Sequence, residues 1–296
     1  MIALLNAMPG SIVQGLIWGI MAIGVYITYK ILDYADLSVD GSFCTGGAVA
    51  VMLMLHGYDV SVALLVAFLA GCAAGFVTGA LHTWLKIPAI LSGILTQLAL
   101  YSVNLSIMGK SNQAISVDKY SLLVSLRFIN ESIVTCVIIT AVIIVLLYLF
   151  FGTEIGSAIR ATGNNQSMAR AQGIHTGRCI RMGLVLSNGL VAFAGGLYAQ
   201  YQGNADVNAG RGAIVIGLAA VIIGEVIFGS NRNFALKLVS AVIGAIIYYI
   251  VIAIVLQLGF PSTMLKLLSA TIVALFLAIP AVKDNWKASF GKRRSA

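Results

Sequence analysis

The chain has 296 residues, 60% of them hydrophobic and 9% charged, with a mean hydropathy of +0.99. A soluble domain carries roughly 25% charged residues, so the composition excludes a soluble enzyme and reads as a polytopic membrane protein in the lipid bilayer. The net charge of +8 is what basic residues gathered on one membrane face produce, and it leaves no reason to invoke nucleic acid.

Runs of about 20 apolar residues can cross a bilayer. In chain order such runs fall at 8–29, 60–85, 87–108, 132–151, 182–200, 236–258 and 264–282. The first lacks a basic leader and a small-residue cleavage site, so it reads as a retained span rather than a signal peptide. Two shorter runs, 42–55 and 213–228, open after breaks rich in Gly, Asp and Asn. The fold expected is therefore an all-α polytopic membrane protein of about nine spans, including short interrupted helices. With the polar stretch 152–181 placed in the cytoplasm, 13 of the 18 basic residues fall inside. That bias sets the N-terminus outside and the C-terminus, with its basic tail at 283–296, inside.

The first break, KILDYADLSVDGSF, holds Asp33, Asp36 and Asp40. Each can cap the following short helix by accepting backbone N–H bonds; the alternative is direct contact with a solute. Shifting the chain by 170 residues lays ADLSVDGSFCTGGAVAV (35–51) on ADVNAGRGAIVIGLAAV (205–221), which pairs Asp36 with Asp206 and Gly47 with Gly217. KIPAIL (86–91) meets GFPSTML (259–265) in the same way. Four spans, one linking span and four more place the second copy upside down, the inverted-repeat arrangement of transporters. On that ground Asp36, Asp40, Asn204, Asp206 and Asn208 are the candidates for the translocation path or its gates.

Further along, Gly71, Gly75 and Gly79 form a small-residue stripe for close packing, within the subunit or along a homodimer seam. NLSIMGKS (104–111) ends like a phosphate loop, but Asn104 stands where its first Gly belongs and a span precedes it. The cysteines Cys44, Cys72, Cys136 and Cys179 form no CxxC pair and read as packing residues. His175 and Cys179 lack a third ligand nearby. Glu225 is an acid inside an apolar span and is expected to make a structural hydrogen bond to protein. No catalytic constellation, cofactor site or metal set is legible, so the chain is expected to be non-enzymatic.

The polar stretch 152–181 carries Arg160, Arg170, Arg178 and Arg181 against the single acid Glu154. Its core, TEIGSAIRATGNNQSMARAQGI, resembles the cytoplasmic coupling segment of bacterial ATP-binding-cassette importer permeases of the branched-chain amino acid and ribose class. The pattern is met at Gly156, Arg160, Ala161, Gly163, Asn164, Gly173 and Ile174, and by Ala169 one position out of register. DYADLSVDGSF and SNGLVAFAGGLYAQ are similar to that class as well. The resemblance implies a single permease domain over 1–282, with repeats at 8–108 and 182–282, the linking span at 132–151 and the coupling segment at 152–181. It implies ATPase contacts by Glu154, Gly156, Ala158, Arg160, Ala161, Gly163, Asn164, Ala169, Arg170 and Gly173. The partners it implies are a cytoplasmic ATPase, an extracytoplasmic solute-binding protein and a second copy of the chain, in the cytoplasmic membrane. The solute that the resemblance implies is an amino acid, branched or aromatic, ahead of a sugar or nucleoside. The alternative is a self-contained secondary transporter or channel with inverted repeats.

In physical terms, the small-sided turn at Ala158, Ile159, Ala161 and Thr162 is expected to enter a cleft of the ATPase. Gly163 and Asn164 should end it, and Gly173 should close a second short helix.

Overall fold

A computed structural model describes residues 2–116, 120, 122–229, 233–258, 264, 267, 269–271, 273–276 and 278, with side chains from Met8 on. Ten helices are placed: α1 Ile2–Tyr26, α2 Val39–Leu55, α3 Val60–Thr83, α4 Ala89–Met108, α5 Ile129–Gly152, α6 Glu154–Asn164, α7 Gln166–Ala171, α8 Thr176–Gln202, α9 Ala213–Phe228 and α10 Phe234–Gln257. A π-helical turn at Ile27–Ile31 and two three-residue strands, β1 Asn112–Ala114 and β2 Asn204–Asp206, complete the element order.

Among the described residues six helices are long and apolar enough to cross a membrane, while α2 and α9 are the two shorter apolar helices. The fold is thus an all-α polytopic membrane protein, as expected. The span at 264–282, the GFPSTML half of the second repeat match and the 283–296 tail fall wholly or largely outside the described residues. One boundary moves: α8 begins at Thr176, so the polar segment is 153–175 rather than 152–181. Gly177, Arg178 and Arg181 are the first turns of a span.

Helix α8 is the axis of the bundle, packed by α1, α2, α3 and α6. Glycines let backbones meet there: a Cβ at Gly46 or Gly195 would strike the α8 or α2 main chain, and one at Gly71 or Gly75 the α8 carbonyls. The Gly71/Gly75/Gly79 stripe is therefore consumed inside the subunit, which closes the homodimer-seam reading of it. Without a hydrophobic drive between helices in lipid, such close approach supplies the packing attraction. Trp18, Phe43 and Tyr198 stack with centroids 4.9–5.7 Å apart, joining α1, α2 and α8. Helices α4 and α5 are the most outward-facing of the spans.

On what we call the upper face, β1 pairs with β2 antiparallel, Asn112 opposite Asp206 and Ala114 opposite Asn204. The lower face carries α6, α7 and the π turn Ile27–Ile31 that continues α1. There Leu32 donates its N–H to the carbonyl of Ile27 and Tyr34 to that of Thr28. Asp33 follows with φ 52°, a left-handed conformation that Asp tolerates better than most residues. Asp33 thus turns the chain instead of capping α2.

Candidate functional site

Both breaks are built alike. At the first, Asp36 Oδ1 accepts the N–H of Ser38 at 2.9 Å and the Ser38 hydroxyl. At the second, Asp206 Oδ1 accepts the N–H of Asn208 at 2.8 Å. Each aspartate folds an Asx turn two residues long, at positions related by the 170-residue shift. Neither is the N-cap of the helix that follows, since Ser38 and Gly212 hold those positions.

Asp36 is buried and tied to α8. Asn188 donates to its Oδ2 at 2.7 Å, and the Asn188 amide oxygen accepts the hydroxyl of Ser42 at 2.6 Å and shares, at 3.1 Å, the proton that the Ser38 hydroxyl gives chiefly to Asp36. The four side chains form a closed polar network, the only economical way to hold such groups away from water. Asn188 and Ser42 carried no sequence signal that singled them out.

Asp40 departs from expectation most. Its oxygens accept the N–H of Gly212 at 2.9 Å and of Ile214 at 3.0 Å, so it caps α9, not its own helix. The sulfur of Cys44 bridges the same junction, donating to the carbonyl of Val207 and accepting from Gly210 N–H. The starts of two interrupted helices therefore meet, their partial positive charges facing one carboxylate. Asn204, Asp206 and Asn208 lie together on the upper-face ribbon and the turn after it.

At the lower face, α6 and α7 form as the Gly punctuation predicts. Thr153 caps α6 through Gly156 N–H, Asn165 caps α7 through Met168 N–H, and Gly173 has φ +80°. The orientation of α6 corrects the expected one. Gly156, Ile159 and Thr162 are buried against the protein itself, and a Cβ at Gly163 would strike the carbonyl of Ile31. The small-sided face thus grips the π turn. Arg160 is held too: its Nη2 donates to the Phe151 carbonyl at 2.8 Å, and its guanidinium lies over the Phe234 ring.

Ala169 is buried, Ala158 and Ala161 are half-buried, and Glu154, Asn164, Arg170 and Gly173 are exposed. Arg170 reaches only Gln166, at 3.2 Å. Two residues missed from the sequence stand out here: Ile155 and Met168 are 47% and 61% exposed, on polar helices.

Between the π turn, α6 and the start of α10 opens a cavity of about 960 Å³, lined by Lys30, Asp33, Arg160, Asn164 and Lys237 among others. Near it Lys30 and Glu225 form an ion pair at 2.8 Å. Glu225 thus binds protein, as expected, and joins α9 to the end of α1. Among the described residues no group of three His, Cys, Asp or Glu side chains is placed to hold a metal.

The family described as branched-chain amino acid transport system / permease component matches residues 8–279. The chain is 42% identical over 268 residues to a tyrosine transport system permease protein of Clostridioides difficile, covering 90% of this chain and 88% of that one. It is 35% identical to the uncharacterized protein RP368 of Rickettsia prowazekii, covering 94% and 99%. It is 30% identical to the autoinducer 2 import system permease protein LsrC of Yersinia enterocolitica, covering 77% of this chain and 62% of that one. No solved structure matches it. The interrupted-helix bundle, the two-helix polar segment and these likenesses agree, and the chain belongs to the permease components of branched-chain amino acid-type ATP-driven import systems, a family of transport subunits rather than enzymes.

Proposed function

We propose that this permease imports an aromatic amino acid, tyrosine or a close analogue, handed to it by an external solute-binding protein. Energy comes from an ATPase seated on α6 and α7, and the chain works with a second copy of itself, N-terminus outside and C-terminus inside. The solute class is supported by the tyrosine permease relative, which matches most of both chains.

The observation that carries the coupling role is the pair Ile155 and Met168, two exposed apolar side chains on the otherwise polar helices α6 and α7, the second of which also holds the exposed Arg170. Exposed apolar anchors within a charged surround are how a helix seats itself in a partner's groove. Arg160 positions α6 from behind, through Phe151 and Phe234, in place of meeting the partner directly.

The test is reconstitution of the permease with its ATPase and binding protein in liposomes. Met168→Glu should lower ATPase co-purification and tyrosine uptake together by about tenfold, the loss of one good hot-spot contact. Uptake that proceeds without the ATPase, or unchanged assembly in Met168→Glu paired with Ile155→Ser, would overturn the reading.

A further inference from the structure

Where the starts of α2 and α9 meet, a second cavity of about 350 Å³ opens toward α4. Asp40, Gln97, Leu98, Tyr101, Asn104 and Arg211 line it. Asn104 is fully buried, and its amide nitrogen makes only a long 3.4 Å contact with the Gly41 carbonyl. Its amide oxygen has no hydrogen-bond partner. Leaving a buried acceptor unsatisfied is costly, and here the group belongs to the wall of a cavity. Arg211 is exposed and makes no ion pair among the described residues.

We infer that this cavity is a transient solute site for a zwitterionic amino acid with an aromatic side chain. The inference rests on the import reading above and adds the site and the chemistry it selects. Each carboxylate oxygen has about two acceptor positions, so Asp40 keeps capacity for one more donor after meeting the backbone N–H groups of Gly212, Ala213 and Ile214 at the start of α9. That capacity and the empty amide oxygen of Asn104 receive the ammonium group. The Arg211 guanidinium receives the carboxylate in a charge-assisted contact. Leu98 and Tyr101, 64% and 43% exposed on α4, supply the apolar wall for the ring, and the Gln97 amide meets a ring hydroxyl. The volume falls in the range of small-ligand pockets, about 300–1,000 Å³.

The site also has a mechanical meaning. A ligand drawn to Asp40 competes for the carboxylate that fixes the start of α9, so occupancy loosens the junction it occupies. Solute arrival and helix rearrangement would then draw on the same oxygen atoms.

The experiment uses the reconstituted complex carrying Leu98→Cys, labelled with a thiosulfonate reagent. Tyrosine should slow labelling by about tenfold, the equivalent of one charge-assisted hydrogen bond. Tyramine, which lacks the carboxylate, and 4-hydroxyphenylpropionate, which lacks the ammonium, should protect far less. Adding Arg211→Gln should abolish the preference for tyrosine over tyramine, Arg211→Lys should retain part of it, and Asn104→Leu should lower the preference over 4-hydroxyphenylpropionate without removing it, because the Asp40 carboxylate remains. If the complex imports tyrosine and no amino acid alters labelling, or protection ignores both charges, the site is wrong while the import reading stands. If the complex imports no amino acid at all, the reading fails and the site with it.

Discussion

Replacing Glu225 with Gln removes one charge from an ion pair that ties the π turn after α1 to the last turns of α9. The nitrogen–oxygen distance is 2.8 Å, and the side chains are 36% and 23% exposed. Partial solvation screens the attraction, so the pair belongs nearer the 0.2–1 kcal/mol of surface pairs than the 3–5 kcal/mol lost when a buried pair is broken. A net contribution of about 1 kcal/mol is expected, a factor of about five in any equilibrium the pair biases. Four proteins close a double-mutant cycle: the parent, Lys30→Gln, Glu225→Gln and the combination, with thermal unfolding followed in one detergent. The coupling energy should be about 1 kcal/mol, and the charge swap Lys30→Glu with Glu225→Lys should recover part of the loss. Strictly additive single effects, with a swap no better than either single change, would refute the argument. The contact would then be incidental, and the cavity beside it would open without reference to this pair.

Three further outcomes follow from the geometry. Gly163→Val drives a side chain into the Ile31 carbonyl; an overpacking cost of about 1–3 kcal/mol should lift α6 from the π turn, and unaltered uptake per ATP hydrolysed would contradict this. Asp40→Ala strips the acceptors from two N–H groups of α9 and should lower stability by about 0.5–2 kcal/mol, whereas Asp40→Asn keeps one acceptor of the two and turns an amide N–H toward the other donor, so it should lose part of that amount; no loss in either variant would refute the capping role. Single cysteines at Ser116 and Gln172, both exposed, should react with an impermeant maleimide from opposite sides of the membrane, and reaction of both from one side would defeat the proposed orientation.

The spans within the described residues, both breaks and the pair of short helices in the 153–175 segment could be read from the sequence, because each rests on local periodicity and punctuation, although the junction between the two helices is Asn165 and Gly163 lies inside α6. The facing of α6 could not. Gly156, Ile159, Thr162 and Gly163 make a face suited to any tight contact, and nothing local tells a partner's cleft from the chain's own π turn. Asp40 illustrates a second limit. Aspartate at the start of a helix reads as a cap for that helix, yet its carboxylate serves a helix some 170 residues away. The same holds for Glu225, whose partner Lys30 lies at the end of the first span, and for Asn188, whose neighbours Asp36 and Ser38 are brought to it only by the fold. Ile155 and Met168 escaped notice because in so apolar a chain two more apolar residues stand out only once their exposure is known.

Helix α8 runs without interruption from Thr176, next to the lower-face segment, to Gln202, next to the upper-face ribbon. Its 27 residues span about 40 Å at 1.5 Å per residue, and glycine-mediated backbone contacts with α2 and α3 leave it little freedom to bend locally. It therefore behaves as a push-rod. A tilt of a few degrees imposed at one end appears at the other as a displacement of a few ångströms, without any relay of side-chain rearrangements. Asn188 sits near the middle of that rod and holds Asp36, so the segment that leads into the interrupted helix α2 is tied to the rod's midpoint rather than to either end.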